Sequence, residues 1–155
     1  MTDQLMPEFA DWRRAGALML HQTRGDQGGV TVIYEEANAL GRLTQLFRAL
    51  EAGYTIWVHQ LRTDDAREMI AEFIAATASQ HPDAYTRRAA SAVVAARSDD
   101  LDALAAVLDE TRSEHGAGRM IGALLDLYAF LLPELATATG QEQLAAWTMQ
   151  AASQQ

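Results

Sequence analysis

Histidine occurs four times, as His21, His59, His81 and His115. An imidazole acts as a metal ligand or general base when a second ligand or an orienting carboxylate stands beside it. On a helix that partner sits three or four residues away. None of the four has a His, Asp or Glu at that spacing. The H-E-x-x-H zinc motif and the Glu-x-x-His of di-iron bundles are both absent. Glu114 and His115 are adjacent and point apart on a helix. His81 and His115 fall near expected helix ends, where a cation complements the dipole. His59, in "IWVHQ", is the histidine best surrounded for a pocket. The expectation is no metal and no cofactor.

Other chemistries find as little. There is no cysteine, which removes disulfides, thiolate nucleophiles, zinc–cysteine sites and iron–sulfur clusters. "GAGRMIG" (Gly116, Gly118, Gly122) superficially resembles a phosphate loop. Its spacing is wrong for G-x-G-x-x-G, it follows a helical pattern and it has no Walker lysine. It reads as a helix stop at Gly116 and a restart. Ser79, Ser91, Ser98 and Ser113 occupy capping or helical contexts, not a nucleophile elbow. Glu35 and Glu36 are explained by the dipole at the start of a helix. Arg13 and Arg14 read as a solvated face, because residues 1–24 hold three acids and three arginines. The chain reads more as a non-enzyme than as an enzyme.

The elements that would carry these residues are helical throughout. Apolar residues recur at three- and four-residue spacing. A first helix is expected over Pro7–Thr23, then the loop "RGDQGG". A long pattern follows, about Thr31 to Glu51, and continues through Tyr54, Trp57, Val58 and Leu61. Gly53 is a candidate break. The β-prone stretches 30–34 and 54–58 compete as a two-stranded sheet, but their helical spacing favours helix. Thr63 should cap the next helix, whose apolar face is Met69, Ile70, Phe73 and Ile74. A helix restarts after Pro82, with Asp83 and Arg87 as an i,i+4 pair. Ser98 should cap another, burying Leu101, Leu104, Ala105 and Leu108. A last helix is expected over about Gln141–Ala152.

"MIGALLDLYAFLLPEL", Met120–Leu135, carries only two charges, Asp126 and Glu134. On a helix it is apolar nearly all round, the mark of a buried element. Tyr128 and Phe130 are the residues that would stay exposed if part of it mates with a second copy or lines a pocket. The run is too short for a bilayer and is interrupted by Pro133. The N-terminus shows no signal-peptide pattern.

Charge is the least random feature. The chain of 155 residues has a formal charge of −9, with twelve arginines and no lysine. That balance disfavours nucleic acid and anionic membranes as partners. Residues 1–62 hold seven acids against six arginines, 63–115 eleven against five, and 116–155 three against one. The middle third forms stripes: Asp65, Glu68 and Glu72, then Asp99, Asp102 and Asp109. Such a stripe is either a plain solvated face or a surface that steers a basic partner.

The fold expected is one all-α domain over 1–155, a bundle of six to eight helices. It comprises an N-terminal helix and loop (1–29), a long helix or pair (30–62) and successive antiparallel helices (63–155). The near-apolar helix around 118–132 lies at its centre. The function expected is a cytoplasmic, non-catalytic regulatory or interaction module, of adaptor, immunity or antitoxin type. Its acidic stripes would bind a basic protein, and the chain could pair with itself. A first alternative is a small-molecule sensor or carrier with an aromatic-lined pocket between helices, the pocket or dimer face formed by Trp57, His59, Asp126, Tyr128 and Phe130. A second is an enzyme whose site assembles only in three dimensions.

Overall fold

In the computed structural model, residues 6–111 and 116–153 are described. His115 and Ser113 lie outside them. The chain is all-α. Eight α-helices are α1 (Phe9–Thr23), α2 (Gln27–Ala39), α3 (Leu43–Leu61), α4 (Asp64–Gln80), α5 (Ala84–Arg97), α6 (Leu101–Glu110), α7 (Gly116–Leu131) and α8 (Ala138–Ser153). A short 3-10 helix, Pro133–Ala136, precedes α8. No strand occurs among the described residues. Both β-prone stretches are helical, within α2 and α3, because each offers a buried stripe at helical spacing: Ile33 with Ala37, and Tyr54 with Trp57 and Val58.

Contacts gather in two compact units. One is drawn from Met1–Thr55 with Leu132–Gln155, the other from Ile56–Leu131. α3 supplies residues to both.

In the first unit α1 packs along α8 and beside α2. The long pattern expected to run unbroken from Thr31 divides at Gly41, whose φ is +67°. Its amide donates to the Asn38 carbonyl, and the Arg42 amide to that of Ala37. This is a Schellman stop, for which a residue without Cβ is favoured. Gly53, by contrast, breaks nothing. It sits inside α3, where a Cβ would come within 2.8 Å of Met19 Cε and 3.0 Å of Trp147 Cη2. It is a notch that admits α1 and α8 side chains. Trp147 also meets Trp12 edge-on at 6.0 Å.

In the second unit α5 packs against α4, α6 and α7. Its buried residues are small, Ala89, Ala90, Ala92, Val93 and Ala95, so neighbouring helices can approach closely. α7 buries Gly116, Met120, Ile121, Leu124, Leu125, Leu127 and Tyr128. Each large one contributes roughly 1.5–3 kcal/mol by leaving water. The exposed residues of α7 are Arg119, Asp126, Ala129 and Phe130. Gly116 opens α7; it does not close the helix before it.

The turn between α5 and α6 differs from expectation in its caps. Ser98 is the C-cap of α5, and Asp100 is the N-cap of α6, accepting from the Ala103 amide at 3.1 Å. Asp99, at φ 56°, occupies the left-handed position, and the Asp100 amide donates back to the Ala95 carbonyl. This is the Schellman geometry again, built on an aspartate. α6 buries Leu104 and Leu108, whereas Ala105 is exposed.

Candidate interaction face

α4 starts where the Thr63 hydroxyl accepts from the Ala66 amide at 3.3 Å. Its inner stripe is Ile70, Ile74 and Thr77. That registration turns the next row outward. Met69 is 69% exposed and Phe73 41%, so these two lie outside the core, contrary to expectation. They are one helical turn apart, beside the acidic row Asp65, Glu68 and Glu72, all exposed.

A second helix completes the surface. Phe130 of α7 is 71% exposed and stacks on Phe73, with centroids 5.7 Å apart and planes at 28°. Asp126 lies one turn before Phe130, also exposed. An exposed methionine and two stacked phenylalanines therefore stand together, rimmed by carboxylates. Most of that rim is uncompensated. Arg67 pairs with Asp64 and also meets His59. Among the described residues Asp65, Glu68 and Glu72 have no cationic partner.

The acids at the other stripe do different work. Asp99 forms the helix stop, Asp102 lies in the first turn of α6, and Asp109 near its end is already engaged. All three are exposed. The residues expected to line a pocket divide. Trp57 and Tyr128 are buried, and the Tyr128 hydroxyl accepts from Arg97 Nη2 at 3.3 Å. His59 and Phe130 are exposed. Tyr128 and Phe130 stand two residues apart, about 200° around a helix, so they cannot face the same way.

The described histidines are dispersed and locally occupied. His21 Nδ1 lies 3.0 Å from Asp26 Oδ2. His59 meets Arg67. His81 Nδ1 accepts from the Asp83 amide at 3.0 Å. The His21–Asp26 pair spans five residues and forms because the chain turns at Gly25, which helical spacing does not anticipate. Among the described residues no three His, Asp or Glu side chains group as metal ligands would.

One charged cluster was missed from sequence. Asp11 is fully buried and Arg14 nearly so. Asp11 accepts from the Glu8 amide at 2.8 Å, from Arg14 Nη1 at 3.4 Å and from Arg42, through Nε at 3.3 Å and Nη2. Glu36 accepts from Arg14 Nε at 3.2 Å and Arg13 Nη2 at 3.4 Å. The hydrogen bond to Asp11 holds the Arg42 guanidinium above its ordinary value, against desolvation. The solvated face expected for Arg13 and Arg14 is thus half internal. Every Asp11 lone pair has a donor, which suits structure rather than catalysis.

Comparison with protein-family models, curated proteins and solved structures finds no match for this chain. Among the described residues no helix is long and apolar enough to cross a membrane.

Proposed function

We propose that the chain is a non-catalytic interaction module, and that the outer face of α4 with Phe130 receives a partner carrying both apolar and basic side chains. The observation that supports this is the exposed Met69–Phe73–Phe130 cluster, set against the uncompensated row Asp65, Glu68 and Glu72. Exposed apolar patches with polar rims mark interaction sites, and methionine beside aromatics adapts to an incoming surface. The rim selects charge. A second copy would bring like charges together, whereas an Arg- or Lys-bearing helix would complement them. The acids of α6 are left to capping and solvation in this reading.

The test uses a fluorescent amphipathic peptide with leucines at helical spacing and lysines between them. It should bind saturably, weaken with added salt, and lose most of its affinity to Phe130→Ser and to Glu68→Arg with Glu72→Arg. Equal binding by wild type and both variants would sink the proposal.

A further inference from the structure

The second unit also holds a concentration of positive charge that the interaction face does not use. The Arg88 guanidinium lies 5.5 Å from the Tyr85 ring centroid, and the Arg119 guanidinium also lies 5.5 Å from it. Two cations thus share one aromatic ring, in a chain whose formal charge is −9. Among the described residues neither has a carboxylate partner. Their own helices offer none. α5 contains no acid at all, and the one acid of α7, Asp126, is two turns beyond Arg119. The neighbouring Arg87 behaves differently: its Nη1 donates to the His81 carbonyl at 2.6 Å and to that of Pro82 at 3.0 Å.

A ring face attracts one guanidinium, but two brought to the same ring also repel each other. Arg14, the one buried arginine among the described residues, is answered by Asp11 and Glu36. For Arg88 and Arg119 no such counter-charge stands among the described residues, while the donors for one are present. Each guanidinium offers a planar fork of N–H groups, and the Tyr85 hydroxyl is a further donor. Asp83, the acid nearest in sequence, is turned away to serve Thr86, accepting from its amide at 2.8 Å and its hydroxyl at 2.9 Å. There is also room. Gly122 lies one turn beyond Arg119 on the same side of α7, and a Cβ there would meet nothing within 4 Å.

We infer that Arg88, Arg119 and Tyr85 form an anion site for a phosphate group. A carboxylate is satisfied by a single guanidinium, whereas a phosphate dianion presents three oxygens and a double charge that two forks can share. Tyr85 lies in the first turn of α5 and Arg119 in that of α7, so both helix dipoles add favourable potential.

The experiment follows the arginine side-chain Nε–H resonances of the intact protein. It is titrated with inorganic phosphate, with glycerol 3-phosphate, and with chloride at matched ionic strength. Arg88 and Arg119 should shift together and saturably in phosphate and not in chloride. A response to both phosphates means that the site reads the group on an ester; a response to the free ion alone means that it takes that ion. Arg88→Gln and Arg119→Gln should each weaken binding roughly tenfold, as loss of a charge-assisted bond does, and leave the fold intact. Coincident phosphate and chloride titrations, or unchanged binding by the double variant, would overturn the assignment.

Discussion

The two units handle charge in opposite ways. In the first, Asp11, Arg14 and Arg42 are drawn inside with Glu8, Arg13 and Glu36 at the margin, acids and arginines equal in number. In the second, Asp65, Glu68 and Glu72 stand in water along α4 with no cationic partner among the described residues. Residue types are the same; context decides what they do. A buried charge must be answered, so it specifies how α1, α2 and the start of α3 meet. An exposed row costs little and remains open to a partner.

The largest effect should come from removing the centre of the closed cluster. Asp11→Ala leaves the Arg14 and Arg42 charges facing each other inside the first unit. Breaking a buried pair from one side costs about 3–5 kcal/mol. Arg42 retains some water, with a side chain 24% exposed, which places the loss at the lower end, about 3 kcal/mol. Urea midpoints measure it. A loss near that of a surface substitution, within about 0.5 kcal/mol, would mean that the cluster is no more structural than the α4 row.

A smaller effect of opposite sign is expected at Asp99. Its φ of 56° costs a residue with a side chain roughly 1 kcal/mol relative to glycine, somewhat less for aspartate. Asp99→Gly should therefore stabilise the protein by up to about 1 kcal/mol in thermal unfolding, although it removes an acid from the exposed set. It should leave peptide binding to the α4 face unchanged. If binding falls with it, the α6 acids belong to the same surface as α4, and the assignment of Asp99 to helix termination is incomplete.

How legible all this was depended on how local each cause is. Helical periodicity is local, so helix content and even the helical state of "VTVIY" and "YTIWV" could be read directly. The Thr63 cap was legible for the same reason. Ends built on left-handed residues were harder: "SDDL" offers three capping side chains, and only backbone geometry gives Ser98 to α5 and Asp100 to α6. Within α4, two adjacent apolar rows, 69/73 and 70/74, are equally good core in sequence. The acids flanking Met69 and Phe73 were the available sign that this row faces water. The Asp11–Arg42 contact spans 31 residues and has no signature in spacing, since it exists only once α1 and α3 have met. The pairing of Tyr85 with Arg119 was hidden for the same reason.

Glu72→Arg separates stability from binding within the open region. It converts the repulsive Glu68–Glu72 pair into an attractive one with the acid N-terminal, worth about 0.3–0.5 kcal/mol to an exposed helix. Thermal unfolding should rise slightly while affinity for the basic peptide falls. Both moving down together would show that the row is structural after all.

The smallest expected effect distinguishes the units by pH. Asp83, the N-cap of α5, is held below its ordinary value, chiefly by the Thr86 amide and then by the Thr86 hydroxyl. Asp26, the N-cap of α2, is held low chiefly by the Gly29 amide, with the His21 charge assisting. A carboxylate depressed in the folded state contributes stability that is complete above its unfolded value. That contribution is lost as pH falls through the folded value, which for both lies below 3.8. Protection of the first-turn amides of α2 and α5 from hydrogen exchange should therefore decline together in that acid window. Asp83→Asn keeps a cap acceptor but cannot titrate. It should flatten the acid limb for α5 and leave that of α2 as it was. An α5 limb that survives the substitution would have to come from other acids of the second unit, and its exposed carboxylates would then matter to stability in the way the buried cluster of the first unit does.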